Sequence, residues 1–174
     1  MEKFTLVTGG TGYIGSHTSV ALMEAGYQVV IVDNLVNSSK KVLSRIEQIT
    51  GSAPVFIEAD LRDTSTIIEI FRDYPITSVV HFAGLKAVGE SVEEPVKYYD
   101  NNLGSTLSLL DAMASSEVST LVFSSSATVY SPSEIAPFNE AAELGPTNPY
   151  GMSKYLIEQI LSDIALRDDS WSIG

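Results

Sequence analysis

The chain has 174 residues, of which 44% are hydrophobic, with a formal charge of −12 and no cysteine. That length suits one domain burying roughly two-thirds of its unfolded surface, and the lack of thiols excludes a disulfide framework and thiolate metal or nucleophile chemistry. The acidic balance excludes a non-specific nucleic-acid surface, which needs cations to displace counterions, and no apolar run approaches the ~18 residues of a membrane span, so a soluble cytoplasmic protein with no nucleic-acid or membrane partner is expected.

The first element is a short apolar strand, Thr5-Leu6-Val7-Thr8, which runs into Gly9-Gly10-Thr11-Gly12-Tyr13-Ile14-Gly15 and straight on into a helix. The glycines at 9, 12 and 15 have separate tasks: a turn that side chains would obstruct, close approach of a ligand to main-chain N–H groups, and close packing of helix on strand. The helix points its unpaired amides and positive dipole end at the turn, where a pyrophosphate is the expected guest. Ile14, Thr18, Ala21, Leu22 and Ala25 fall on one helical face, and Gly26 supplies the stop.

Residues 28–33 form a continuous β-branched run, as in a strand buried on both faces. The pattern then repeats with a helix over 38–50, a strand over 54–58, a helix over 64–73 and a strand over 78–82. A helix over 95–115, a strand over 121–125 and a helix over 150–167 follow. This alternation predicts a doubly wound α/β fold, a parallel sheet with helices on both faces. Two connections, 84–94 and 131–149, are long and follow the carboxyl ends of strands, where such sheets bind ligands. Residues 168–174 read as a turn and the first residues of another strand.

Asp33 closes the second strand 18 residues after Gly15. A carboxylate there accepts from both hydroxyls of an adenosine ribose and repels a 2′-phosphate, which favours NAD over NADP; the alternative is an aspartate that only shapes the turn into Asn34. Asp60-Leu61 either flanks an adenine or supplies the N-cap of the following helix. His17 and His81 have no metal-ligand companions and read as packing or surface residues, and no metal is expected. Tyr150 and Lys154 stand at i and i+4 of one helix and share a face. Strand five ends in Ser124-Ser125-Ser126, so tyrosine, lysine and serine can converge beside the nicotinamide. An ammonium within ~4 Å of a phenol contributes up to about 4 kcal/mol at an effective dielectric near 20, which brings a group of pKa near 10 into working range as a base. The alternative is a surface tyrosine, a solvated lysine and a polar strand end.

Taken together, these residues resemble the extended short-chain dehydrogenase/reductase family, and within it the branch of UDP-hexose 4-epimerases. The matching stretches are Val7-Thr-Gly-Gly-Thr-Gly-Tyr-Ile-Gly-Ser-His17, Asp33-Asn-Leu, His81-Phe-Ala-Gly-Leu-Lys-Ala-Val-Gly-Glu-Ser91, Tyr98-Tyr-Asp-Asn-Asn102, Phe123-Ser-Ser-Ser-Ala-Thr-Val-Tyr130 and Tyr150-Gly-Met-Ser-Lys154. The resemblance implies a Rossmann-type domain holding NAD and a UDP-sugar (UDP-glucose or UDP-galactose) epimerised at C4 through a 4-keto intermediate. By the same carry-over Tyr150 is the base, Lys154 depresses its pKa and holds the nicotinamide ribose, and Ser126 bonds the 4-oxygen. The implied cofactor contacts are Gly9, Gly12, Tyr13, Ile14 and Gly15; Asp33, Asn34, Leu35, Val36, Asn37 and Ser38; Asp60 and Leu61; Phe82, Ala83, Gly84, Leu85 and Lys86; and Asn101, Tyr150 and Lys154. Lys86 would lie near the diphosphates.

The family's 4,6-dehydratases carry carboxyl groups after the hydroxyl residue of strand five, where this chain has Ala127-Thr128. Ser131 and Ser105 stand where the family commonly has glycine, which implies local backbone adjustment. Family members continue into a smaller domain that grips the uridine and sugar, so residues 1–174 are expected to be an incomplete NAD-binding domain without its substrate domain. An exposed sheet edge and reduced stability, or an oligomer that buries the edge, follow. A homodimer through helices 95–115 and 150–167 is also implied. The rival of another class is a truncated NAD(H)-binding module that does not turn over sugar.

Overall fold

The computed structural model describes residues 3–133 and 136–174, so Glu134 and Ile135, within the 131–149 connection, lie outside the described residues. Six strands, β1 (Phe4–Thr8), β2 (Gln28–Asp33), β3 (Val55–Glu58), β4 (Ile76–His81), β5 (Thr120–Phe123) and β6 (Ser172–Ile173), form one parallel sheet in the order β3-β2-β1-β4-β5-β6. The helices are α1 (Tyr13–Glu24), α2 (Lys41–Thr50), α3 (Thr64–Asp73), α4 (Val88–Glu93), α5 (Pro95–Ser115) and α6 (Pro149–Arg167). None of the described helices is long and apolar enough to cross a membrane.

The β-branched strands pack on both faces, as their continuous runs predict. Leu6, Val30, Val32, Val79 and Leu121 meet Ile67, Leu109, Met113 and Ile157 in the larger core cluster. On the opposite face Val7, Val29 and Ile31 pack with Ile46 and the partly buried Val20, Leu22 and Met23. Chain order reverses between β1 and β4, and the carboxyl ends of β1 through β5 open there into one cleft.

Four expectations need correction. The inner face of α1 lies one residue along from the stripe expected, because Ile14, Ala21 and Ala25 are exposed while Gly15 and Ser19 are buried. The helix approaches the sheet so closely that only small residues fit, and apolar periodicity does not mark such a contact. Its stop is as expected: Gly26 N–H bonds to Met23 O and Tyr27 N–H to Leu22 O, both at 3.0 Å. Helix α2 starts at Lys41 instead of 38, because the Ser38 hydroxyl is held by Asp33. The 84–94 connection contains α4, fastened to α5 where the buried Tyr98 hydroxyl accepts from Ala87 N–H at 3.0 Å and donates to Glu90 at 2.8 Å. Finally, β5 ends at Phe123, two residues early, and a 3-10 turn (Ala127–Val129) follows.

Candidate active site

The cleft at the strand ends has a volume of about 490 Å³ and takes its walls from five successive strand–helix connections. After β1 come Gly9, Gly12, Tyr13, Ile14 and Gly15, and after β2 come Asn34, Val36, Asn37 and Ser38 beside Asp33. Asp60 and Leu61 follow β3, Phe82 through Lys86 follow β4, and Ser126 follows β5. Asn101 of α5 and Tyr150 and Lys154 of α6 close the far side. Of the site residues expected from sequence, Leu35 alone does not line the cleft.

The first wall is built by main chain. Gly9 has φ +66°, and a Cβ there would stand 2.8 Å from Ala83 N. At Gly15 a Cβ would stand 2.4 Å from Gly9 O, so helix and turn touch through backbone alone. Helix α1 has Gly12 at its N-cap and no side-chain cap. Its first-turn amides, at Tyr13 and Ile14, therefore face the cleft as donors to an anion.

Asp33 makes the turn contacts of the second reading weighed for it. Its Oδ1 accepts from Leu35 N–H and from Ser38 Oγ, each at 2.9 Å, and Oδ2 accepts from Thr11 N–H at 3.1 Å. It thus shapes its own turn and still presents acceptor capacity to the cleft. Thr11, 2% exposed, also donates from its hydroxyl to Ser38 at 2.7 Å, tying the glycine turn to the end of β2.

Asp60 is not the cap of α3; Asp63 is, accepting from Thr66 N–H at 3.2 Å. Asp60 instead receives Arg62 through Nε at 3.1 Å and Nη2 at 2.7 Å, while Arg62 Nη1 reaches Asp100 at 2.5 Å. Hydrogen bonding from Arg62 holds the Asp60 carboxyl below the usual range.

Behind the β4 wall, His81 is fully buried between Thr8 Oγ1 (2.7 Å from Nδ1) and Thr106 Oγ1 (3.0 Å from Nε2). Burial first, and the charge of Lys154 second, push it down to about 3, so it is a neutral packing residue, as read from sequence. Asn102, 2% exposed, accepts from Leu85 N–H at 2.8 Å and donates to Leu85 O at 3.0 Å and to Ser153 Oγ at 2.9 Å. Ser153 in turn donates to Tyr150 O at 2.7 Å. One amide thereby fixes the β4 connection against the first turn of α6. Asn102→Leu is expected to lower stability by about 3 kcal/mol, because it strands buried polar groups of Leu85. Urea unfolding checks it, and a change under about 1 kcal/mol would count against this clamp.

Helix α6 opens with Asn148, whose Oδ1 accepts from Gly151 N–H at 2.8 Å, and Pro149 in the first turn. That places Tyr150 at the cleft, with Lys154 one turn on. The Lys154 side chain is buried; Nζ donates to Ser124 O at 2.9 Å and lies 4.6 Å from the centre of the Phe123 ring. Burial pushes its pKa down to about 8, against the opposing charge of Glu158. Ser126 Oγ accepts from Thr128 N–H at 3.2 Å and from Thr128 Oγ1 at 3.0 Å, which leaves its own proton to donate into the cleft. Thr11, Arg62, Asn102 and Glu158 were not legible as site residues, since the partners that fix them, Asp33, Asp100, Leu85 and Ser125, are distant in sequence.

The family model described as "NAD dependent epimerase/dehydratase family" matches residues 5–170. The chain is 53% identical to the UDP-glucose 4-epimerase of Yersinia pestis over 171 residues, 98% of this chain and 51% of that one. Identity to the Bacillus subtilis (strain 168) UDP-glucose 4-epimerase is 53% over 169 residues, 97% and 50% of the two chains. Among solved structures, the Bifidobacterium longum UDP-glucose 4-epimerase in complex with NAD+ and UDP superposes with a TM-score of 0.95 at 50% identity, covering 98% of this chain and 51% of that one. The Stenotrophomonas maltophila UDP-glucose-4-epimerase with bound NAD and formylated UDP-arabinopyranose gives a TM-score of 0.94 at 47% identity, covering 97% and 50%. The chain spans about half the length of the curated relatives it matches.

Proposed function

Since the chain belongs to the NAD dependent epimerase/dehydratase family, we propose that it is the NAD-binding part of a UDP-hexose 4-epimerase that interconverts UDP-glucose and UDP-galactose. The observation that carries this reading is the single cleft in which the uncapped α1 amides, Asp33, Ser126, Tyr150 and Lys154 all stand.

The residues present fit NAD. The amides of Tyr13 and Ile14 would hold the diphosphate, Asp33 the adenosine ribose, Asp60 the adenine, and Lys154 the nicotinamide ribose. When bound, the nicotinamide supplies reversible hydride exchange with C4 of the sugar. Tyr150 takes the proton of the 4-hydroxyl and returns it to the 4-oxygen after the keto sugar has turned over in the site. Lys154, an ammonium at neutral pH held in place by Ser124 O, would favour the deprotonated form of Tyr150 that accepts this proton. Ser126 donates its free hydroxyl proton to the 4-oxygen. Ala127 and Thr128 follow it, with no carboxyl group to move protons at C5 and C6, which favours epimerisation over 4,6-dehydration.

The same reading includes a cytoplasmic homodimer through α5 and α6. Val96 and Leu107, 11 residues apart on α5, and Leu166 on α6 are exposed apolar side chains that such an interface would cover. The second reading is an NAD(H)-binding module without turnover, which the wall of α1 amides and Asp33 supports by itself.

The test is to denature purified protein, quantify released NAD(H), and assay the same batch for UDP-glucose/UDP-galactose interconversion. Near-stoichiometric NAD with turnover is the expected result. NAD without turnover leaves the binding module, and failure to bind added NAD overturns both readings.

A further inference from the structure

Helix α6 meets the segment after β5 at three places on one helical face. A Cβ on Gly151 would lie 2.6 Å from Thr128 O; Lys154 Nζ donates to Ser124 O at 2.9 Å; and, one turn further, Glu158 Oε1 accepts from Ser125 Oγ. Residues three and four apart on a helix share a face, so these contacts run side by side along residues 124–128. The segment needs such support. Ser124 N–H still reaches His81 O at 3.1 Å, but beyond it the chain leaves the sheet and turns. Ser125 sits between the carbonyl that anchors Lys154 and the serine that faces the cleft. Glu158 approaches from the other side, where it lines a second cavity of about 450 Å³ that also borders Ser126.

We propose that Glu158 is a positioning residue: by holding the Ser125 hydroxyl it fixes the 124–126 turn against α6, and so sets where Ser126 points and where the carbonyl that anchors Lys154 stands. The inference rests on the dinucleotide reading for its catalytic meaning, but not for its geometry. A carboxylate suits the task because a hydrogen bond to an ionised acceptor is shorter and stronger than one between neutral groups. Glutamine retains the accepting oxygen and alanine removes it, so the two substitutions separate contact from helix surface.

The test uses S125A, E158A, the double variant and E158Q, read by amide ¹H–¹⁵N spectra and by NADH fluorescence titration. Both alanine variants are expected to shift the same amides, residues 124–128 and 154, and to weaken NADH binding about tenfold, the scale of one charge-assisted hydrogen bond. The double variant should be no weaker than either single one, and E158Q should restore both spectrum and affinity. Shifts confined to 157–159 with unchanged binding would overturn the proposal, as would additive losses or an E158Q that behaves like E158A. If the amide pattern holds while wild-type protein binds no NADH, the positioning pair stands and the dinucleotide reading falls.

Discussion

Replacing Lys154 by methionine is expected to make the protein more stable at neutral pH while weakening its hold on NADH. The ammonium is 5% exposed and has a carbonyl and an aromatic face as its near neighbours, with no carboxylate among the described residues hydrogen-bonded to it. Its pKa falls from 10.5 to about 8, and burial is the cause. A lysine with a depressed native pKa binds its proton less tightly folded than unfolded. Below pH 8 both states are charged and the full cost, roughly 3 kcal/mol, weighs on the fold; between pH 8 and 10.5 the native amine is neutral and that cost disappears. Methionine keeps the stem and removes the charge, but leaves Ser124 O without its donor, which takes back part of the gain. A net gain of about 1–2 kcal/mol at pH 7 should result, or a Tm raised by roughly 3–6 °C for a domain of this size. The gap between variant and wild type should then close as pH rises toward 10.5. Equal or lower stability for K154M at pH 7, or a gap that ignores pH, would show that Lys154 carries no such cost.

The opposite outcome is expected at Gly15. A Cβ there would meet Gly9 O at 2.4 Å, Gly10 Cα at 2.9 Å and Gly9 C at 3.0 Å, all of them backbone atoms with no rotamer to yield. G15A must therefore move α1 away from the turn. Overpacking of this kind costs about 3 kcal/mol, and the displaced first-turn amides should lose at least about a hundredfold in NADH affinity, the scale of a 1 Å misplacement. Gly89, in α4, is the control, because a Cβ there meets nothing within 4 Å. G89A should be neutral or slightly stabilising. Thermal unfolding and NADH titration of the two variants decide the matter, and near-wild-type behaviour of G15A would mean that the helix is not seated on the turn as described.

Both substitutions concern residues that could be singled out from sequence, but for reasons sequence did not contain. Lys154 was legible as the partner of Tyr150 at i+4, whereas its burial depends on β5, the Phe123 ring and α5 arriving from elsewhere in the chain. Gly15 was legible as a glycine of a βα turn. The shortness of its contact, which also displaced the inner face of α1 from the apolar stripe expected, is a property of two elements meeting. Asp60 shows the same limit: two aspartates lie near the start of α3, and only the backbone geometry makes Asp63 the cap and hands Asp60 to Arg62.

By itself the sequence determined the order of strands and helices apart from α4, the glycine turn with its helix, Asp33 at the end of β2, and the i, i+4 pairing of Tyr150 with Lys154. Each of these is set by residues within one or two turns of one another, where periodicity and backbone sterics act directly. Tertiary structure alone decided which polar side chains hold those parts in register: Thr11 on Asp33, Arg62 between Asp60 and Asp100, Asn102 between Leu85 and Ser153, and Ser125 with Glu158. Such residues are common on surfaces, and their meaning comes from partners up to 51 positions away that only the closed sheet brings within hydrogen-bonding distance.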